Sequence, residues 1–327
     1  MHATAVAPRS RGLARGLGVL AALGTGVLLA VQSRINGELA DRLGDGVTAA
    51  LISFGSGLVV LLALVLALPV GRRGVRRVRA ALRGGTLRPW QCAGGVCGAL
   101  FVLSQGLTIT SLGVAVFTVA VVTGQAASSL VVDRVGFGSA GPRPLSGVRI
   151  AGAALAVVAV LIAVSDRFGQ PADGPGTGSA LWLLALPLLA GAGMGWQQAA
   201  NGLVRSASGS ALPTAMINFL VGTLALAVAL AVRLAVVGPP VTFPGEPWLY
   251  VGGLLGTVVI GAAAALVGTT GVLLLGLGQV AGQLVGALLL DLVVPAAGDH
   301  LTASTVLGTV LTVLAVGIAA LPHGARR

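Results

Sequence analysis

Apolar runs of about 20 residues recur along this chain, each long enough to cross a bilayer core about 30 Å thick as a helix. The runs are continuous rather than alternating, which argues against a barrel of strands, whose two faces require alternation. Only 9% of the residues are charged, against about 25% in a soluble domain, so the polar remainder cannot cover a water-facing surface. With 56% hydrophobic residues and a mean hydropathy of +0.99, the chain reads as an all-α integral membrane protein.

Hydropathy divides it into ten predicted transmembrane helices, at 13–38, 46–69, 89–110, 112–134, 145–165, 179–204, 212–236, 248–269, 271–294 and 302–322. Pro89 and Pro213 fall at predicted first turns, where proline costs least. The polar, Gly/Pro-rich segment SDRFGQPADGPGTGS, Ser165–Ser179, stands in the middle. The expected organisation is a cytoplasmic tail at 1–12, five helices at 13–166, a linker at 167–178, five more helices at 179–322 and a cytoplasmic tail at 323–327. The N-terminus imitates a secretory signal, but the second copy of its apolar segment lies mid-chain, so it reads as a retained helix.

The two halves repeat one another. QSRINGELADRLGDGVTAALISFGSG, Gln32–Gly57, returns without a gap as QQAANGLVRSASGSALPTAMINFLVG, Gln197–Gly222, with Gln32/Gln197, Asn36/Asn201, Gly37/Gly202, Gly44/Gly209, Ala50/Ala215, Ile52/Ile217, Phe54/Phe219 and Gly57/Gly222 identical. VVTGQAASSLVVD, Val121–Asp133, returns as QVAGQLVGALLLD, Gln279–Asp291, keeping Gly124/Gly282, Gln125/Gln283 and Asp133/Asp291. The offset shrinks from 165 to 158 across the arginine loop, which is longer in the first half. Five helices per half is an odd number, so the second half enters the membrane upside down. With a cytoplasmic N-terminus, 16 of the 20 arginines fall in inside segments, as the positive-inside tendency demands. Inverted repeats of this kind build secondary transporters, with the substrate near the midplane between the halves.

The repeated polar residues are the candidate site. Gln32 and Asn36 share one helix face, as do Gln197 and Asn201, and carboxamides, donor and acceptor at once, suit a polar or zwitterionic substrate. Gln105, Gln198 and Asn218 lack a polar counterpart in the other half and rank below them. Gln125 and Gln283 stand eight residues before an aspartate, about 12 Å along the helix, which puts them near mid-bilayer beside small glycines. All of these amides can equally serve as packing glue between helices. Asp133 and Asp291 are expected at opposite mouths, where a carboxylate can couple a proton, gate the pathway or simply end a helix in water. Glu38, Asp41 and Asp45 are expected to be hydrated in the first external turn.

The net charge of +11 is carried by arginine alone, since the chain has no lysine. That excludes a Walker A lysine and a Schiff-base cofactor, and no cofactor or metal is expected. The arginines flank apolar segments and form no basic face with interleaved aromatics, so nucleic acid is not a predicted partner. The loop GRRGVRRVRAALRGG, Gly71–Gly85, is expected on the cytoplasmic surface against anionic lipid, together with the rest of Arg72–Arg88. Cys92 and Cys97 read as small core residues.

With its two copies of the Gln32–Gly57 stretch and with GQAASSLVVDRVG at Gly124–Gly136, the sequence resembles the drug/metabolite transporter superfamily, and within it the fused ten-helix form of the YdcZ-like family. The resemblance runs from about Leu13 to Leu321. It implies a ten-helix bundle in the bacterial inner membrane that transports, usually exports, a small molecule, without assigning the substrate. The expected function is secondary transport of a small polar or amphipathic metabolite or drug by alternating access, driven by a proton or another ion, in a monomer or homodimer. A membrane enzyme acting on lipid-linked substrates and a non-transporting scaffold are the rivals. The enzyme would need a cluster of acids or histidines, but His2 and His323 lie in tails and His300 in a loop.

Overall fold

The computed structural model describes residues 8–137, 147–163, 165, 177–238, 243–294 and 302–319. The predicted terminal tails and linker lie largely outside that range. Among the described residues the secondary structure is entirely helical. The elements are α1 (Pro8–Leu43), α2 (Gly46–Ala67), α3 (Pro69–Arg83), α4 (Gly94–Val135), α5 (Gly147–Ala163), α6 (Thr177–Ser208), α7 (Ala211–Val237), α8 (Gly252–Val293) and α9 (Ala303–Ala319), with 3-10 turns at Pro89–Cys92 and Pro247–Tyr250. Among the described residues, three stretches are long and apolar enough to cross a membrane by length and composition: Gly46–Ala67, Pro89–Val132 and Ala211–Val236.

Two of the repeated residues explain two of the helix ends. Gly44 and Gly209 follow α1 and α6 with φ of 60° and 69°, the left-handed region that closes a helix and that glycine enters without a Cβ penalty. Each is followed by a side chain that caps the next helix. Asp45 accepts from the Val47 amide at 3.1 Å, and Ser210 accepts from the Leu212 amide at 3.3 Å.

Sequence analysis expects separate helices at 89–110 and 112–134, and again at 248–269 and 271–294. Each pair is joined into one 42-residue element, which if straight would be about 63 Å long, twice the bilayer core. Contacts along the neighbouring helices show that neither is straight. In α4, Gly94 and Gly98 approach Asn201 and Gln197, so its first arm runs antiparallel to α6; further on Gly191 meets Val121 and Gly195 meets Ser128, so its second arm runs parallel. The reversal is at Gly113, with φ 75° and ψ 160°. In α8, Gly252 and Gly256 meet Asn36 and Gln32, whereas Gly282 and Gly286 meet Leu23 and Val27, so α8 also doubles back along α1 between Gly256 and Gly282. α4 and α8 thus each supply two arms, where sequence analysis expects two helices apiece.

The packing follows this plan. α1 lies along α8 and α6 along α4, while α2 packs on α7 and α5 on α9. Backbones touch directly where a Cβ would stand about 2 Å from a carbonyl oxygen: Gly26 on Gln279, Gly282 on Leu23, Gly124 on Leu188 and Gly191 on Val121. Phe54 and Phe219 stack between α2 and α7, with ring centroids 4.9 Å apart and planes 28° apart. Such a pair contributes about 0.5–1.5 kcal/mol beyond its buried area. The outer faces of α2 and α7 stay apolar and open, with Val59 68% and Val228 66% exposed, as a surface facing hydrocarbon requires.

The arginine segment departs from expectation. It is a helix, α3, started by Pro69 at its first position. Gly71, Gly74 and Val78, spaced by three and four, give it one narrow buried face. Asp45 also departs. It is 6% exposed rather than hydrated, and its Oδ2 lies 3.2 Å from Arg233 Nε of α7. The low-dielectric site draws the two charges together, because either alone would lose its hydration without compensation.

Candidate functional site

The repeated carboxamides stand on the contact between the first and second halves of the chain. From α1, Gln32 and Asn36 are 6% and 1% exposed. The Cβ missing from Gly256 would stand 3.0 Å from Gln32 Nε2, and that missing from Gly252 2.2 Å from Asn36 Oδ1. From α6, Gln197 is 9% exposed and Asn201 half-buried. Gly98 faces Gln197 Nε2 at 3.0 Å and Gly94 faces Asn201 Oδ1 at 3.3 Å, measured in the same way. Each amide therefore reaches from its own half onto a bare turn of backbone in the other, tightly at three of the glycines and with no room for a Cβ at Gly252.

A short hydrogen-bond chain holds Asn36 in one half, and another joins Gln197 to Asn201 in the other. Asn36 Nδ2 donates to Gln105 Oε1 at 2.7 Å, Gln105 Nε2 to Ser33 Oγ at 2.8 Å, and Ser33 Oγ to the Leu29 carbonyl at 2.9 Å. In the other half Gln197 Nε2 donates to Asn218 Oδ1 and Asn218 Nδ2 to Asn201 Oδ1, both at 3.0 Å. Gln105 and Asn218, ranked low for want of a counterpart, are thus the centres of the two chains. No alignment of the halves finds them, because one is supplied by α4 and the other by α7. Gln198, ranked with them, is exposed and takes no part in either chain. Two acceptors, Asn36 Oδ1 and Gln197 Oε1, are buried without a hydrogen-bond partner. A group in that state bears a desolvation cost of about 1–3 kcal/mol, which a donor brought by a ligand would remove.

Gln125 and Gln283 are placed apart from these chains and on different contacts. The Gln125 carbonyl lies by Gly195 of α6, and the Gln283 amide by Gly26 of α1. Gln283 is 8% exposed and Gln125 half-buried, and neither side chain hydrogen-bonds to a described residue. Cys97 packs against Gly193 and Cys92 beside the buried cluster of Val78, Leu87 and Val204, both of them half-buried rather than in the core.

Asp291 has a definite task. Its carboxylate accepts from the Val114 amide at 3.0 Å and the Ala115 amide at 2.6 Å, the first free donors of the second arm of α4 beyond Gly113. A carboxylate at a helix N-terminus meets both the orphan amides and the positive end of the dipole. The side chain of its counterpart, Asp133, lies outside the described residues. Near the end of α1, Arg42 bonds Glu38 at 2.8 Å, pairs with Glu246 and lies 5.7 Å from the Trp248 ring centroid. Elsewhere Phe137 stacks between Trp90 at 5.2 Å and Trp196 at 5.5 Å.

Nothing in this arrangement gathers metal ligands: among the described residues no three His, Cys, Asp or Glu converge. Its polar chemistry is that of neutral amides facing a seam of glycines.

Comparison with known proteins agrees with a membrane role. No curated protein matches the chain. The family described as "Putative inner membrane exporter, YdcZ" matches over two segments, residues 17–162 and 182–318. These segments take in α2, α3, α4, α7 and α8 whole and most of α1, α5, α6 and α9, and with them every candidate residue. The chain is a membrane protein that belongs to the YdcZ family of inner membrane exporters.

Proposed function

We propose that the protein is a secondary active exporter of a small polar or amphipathic compound, working by alternating access between two inverted five-helix halves. The observation that carries this reading is the matched seating of the four carboxamides: Gln32 and Asn36 of one half on Gly256 and Gly252 of the other, and Gln197 and Asn201 on Gly98 and Gly94. The two pairs of contacts correspond under the sequence offsets of 165 and 158, as halves related by a two-fold axis in the membrane plane require. The division of the family match into two segments supports the same organisation.

In this mechanism the halves rock about the Phe54–Phe219 stack. Opening one side draws a carboxamide pair off its glycines and admits substrate, while the other pair stays seated. The unpaired acceptors of Asn36 and Gln197 receive a donor from the substrate, and Gln125 and Gln283 line the path. Asp291, with Asp133 opposite, gates the mouths or takes up the driving proton. The positive-inside count supports cytoplasmic termini in a bacterial inner membrane.

The test uses purified protein in liposomes containing a pH-sensitive dye, challenged with a panel of metabolites, cations and drugs. A compound-dependent proton flux in the wild type, abolished in Asn36→Ala/Gln197→Ala and reduced in Gln125→Ala/Gln283→Ala, is the expected outcome. Flux of the same compound without a pH change would remove the proton but keep the transporter. No flux of any panel compound, measured also by isotope uptake, would overturn the reading.

A further inference from the structure

We infer that α3 is a docking surface for anionic phospholipid headgroups, and that lipid bound there braces the junction between α6 and α7. On a helix of 3.6 residues per turn, Arg72, Arg76, Arg79 and Arg83 fall within a stripe about 60° wide, with Arg73 and Arg77 beside it. All six are exposed. The opposite face, Gly71, Gly74 and Val78, is buried. The helix carries no acidic residue, and the ion pairs among the described residues involve Arg42 and Arg233, not these. Only the first turn finds neutral partners: Arg72 bonds the carbonyls of Leu66 and Ala67, and Arg73 bonds that of Pro69.

The position of the stripe selects the occupant. The exposed apolar surface of α2 runs through Val59, Leu62 and Leu66 to Leu68 and Val70 and stops there; the arginines begin two residues later. Side chains that suit acyl tails thus give way to guanidinium groups at the depth of the phosphates, with exposed Trp90 close in sequence as an interfacial anchor. A guanidinium meets a phosphate with paired, charge-assisted hydrogen bonds, and the leaflet that α3 enters supplies phosphates at high local concentration. Soluble nucleic acid would meet the same charge but not the adjoining apolar surface.

The buried side of α3 reaches the other half of the chain. A Cβ at Gly74 would stand 2.5 Å from Pro213 Cγ and 3.3 Å from the Ser208 carbonyl, and Arg77 reaches Gly209 in the turn that joins α6 to α7. Val78 packs with Val204 of α6. Lipid that fixes α3 therefore fixes this turn, and with it the helices that carry Gln197, Asn201 and Asn218.

Full-length protein stripped of lipid in neutral detergent is titrated with phosphatidylglycerol and, separately, phosphatidylcholine, reading retained lipid by native mass spectrometry and the thermal midpoint. Phosphatidylglycerol is expected to bind and raise the midpoint, and phosphatidylcholine to do neither. Arg76→Gln/Arg79→Gln/Arg83→Gln is expected to weaken phosphatidylglycerol binding roughly 100-fold, at about fivefold per arginine, while melting like the wild type without lipid. The Arg→Lys triple variant keeps most of the binding and guards against a folding artefact. Equal responses to the two lipids, an unimpaired glutamine variant, or a midpoint raised by a short RNA but not by phosphatidylglycerol would overturn the proposal. None of these readouts requires transport.

Discussion

Two glycines two residues apart on α1 allow the packing argument to be tested within a single helix. A methyl group at Gly26 would stand 2.1 Å from the Gln279 carbonyl oxygen and 2.6 Å from the Gln283 amide nitrogen, whereas one at Gly24 would meet nothing within 4 Å. Ordinary contact begins near 3.4 Å, so Gly26→Ala forces α1 and α8 apart by about 1.3 Å. The obstacle is backbone, and no rotamer change relieves it. Overpacking of this kind costs about 1–3 kcal/mol, while alanine at an open helical site returns about 0.5–1 kcal/mol. That gain is common to both variants, so they should differ by the overpacking cost, roughly 1–3 kcal/mol, with Gly24→Ala at or above the wild type. Thermal unfolding of both in one detergent, followed by circular dichroism, measures the difference. Equal midpoints, or a Gly26→Ala variant more stable than Gly24→Ala, would refute the claim that α1 and α8 touch backbone to backbone.

Four other substitutions probe the polar contacts. Gly252→Ala should displace Asn36 from its seat and lower any transport rate more than stability, because the displaced group is a side-chain oxygen 2.2 Å from the new methyl; a rate equal to wild type in the liposome assay would count against the seam. Asp291→Ala should cost about 0.5–2 kcal/mol as a lost helix cap, and hydrogen exchange at Val114 and Ala115 should quicken while that of α2 does not. Asp45→Asn and Arg233→Gln should each destabilise by roughly 1–3 kcal/mol, discounted because Arg233 is 18% exposed. The double variant should lose less than the two singles together, as a direct pair requires.

Much of the fold is legible in the sequence because its signals are local. Runs of apolar residues mark the arms, Gly44 and Gly209 mark the ends of α1 and α6, and the paired copies mark equivalent positions. The reading fails where the determinant is non-local or subtle. The two helices expected on either side of Gly113 are there as two arms, but nothing local shows that this one residue makes the reversal without a loop. The arginines of α3 hide the three small residues that give it a buried side. Asp45 looks like any loop carboxylate, since Arg233 arrives from α7, 188 positions later in the chain.

The candidate site divides in the same way. Gln32, Asn36, Gln197 and Asn201 stand out because a repeat preserves them against an apolar background. Gln105 and Asn218 do not, because their importance comes from being brought to Asn36 and Gln197 from other helices. The sequence by itself determined that the chain must be helical and lipid-embedded, since apolar length and missing charge leave its backbone no other way to satisfy its hydrogen bonds. Only the tertiary structure decided which amides are held by their own half, which glycines they face in the other, and that Asp291 caps a helix. Those depend on distances between segments far apart in the chain, and no local pattern of residues encodes them.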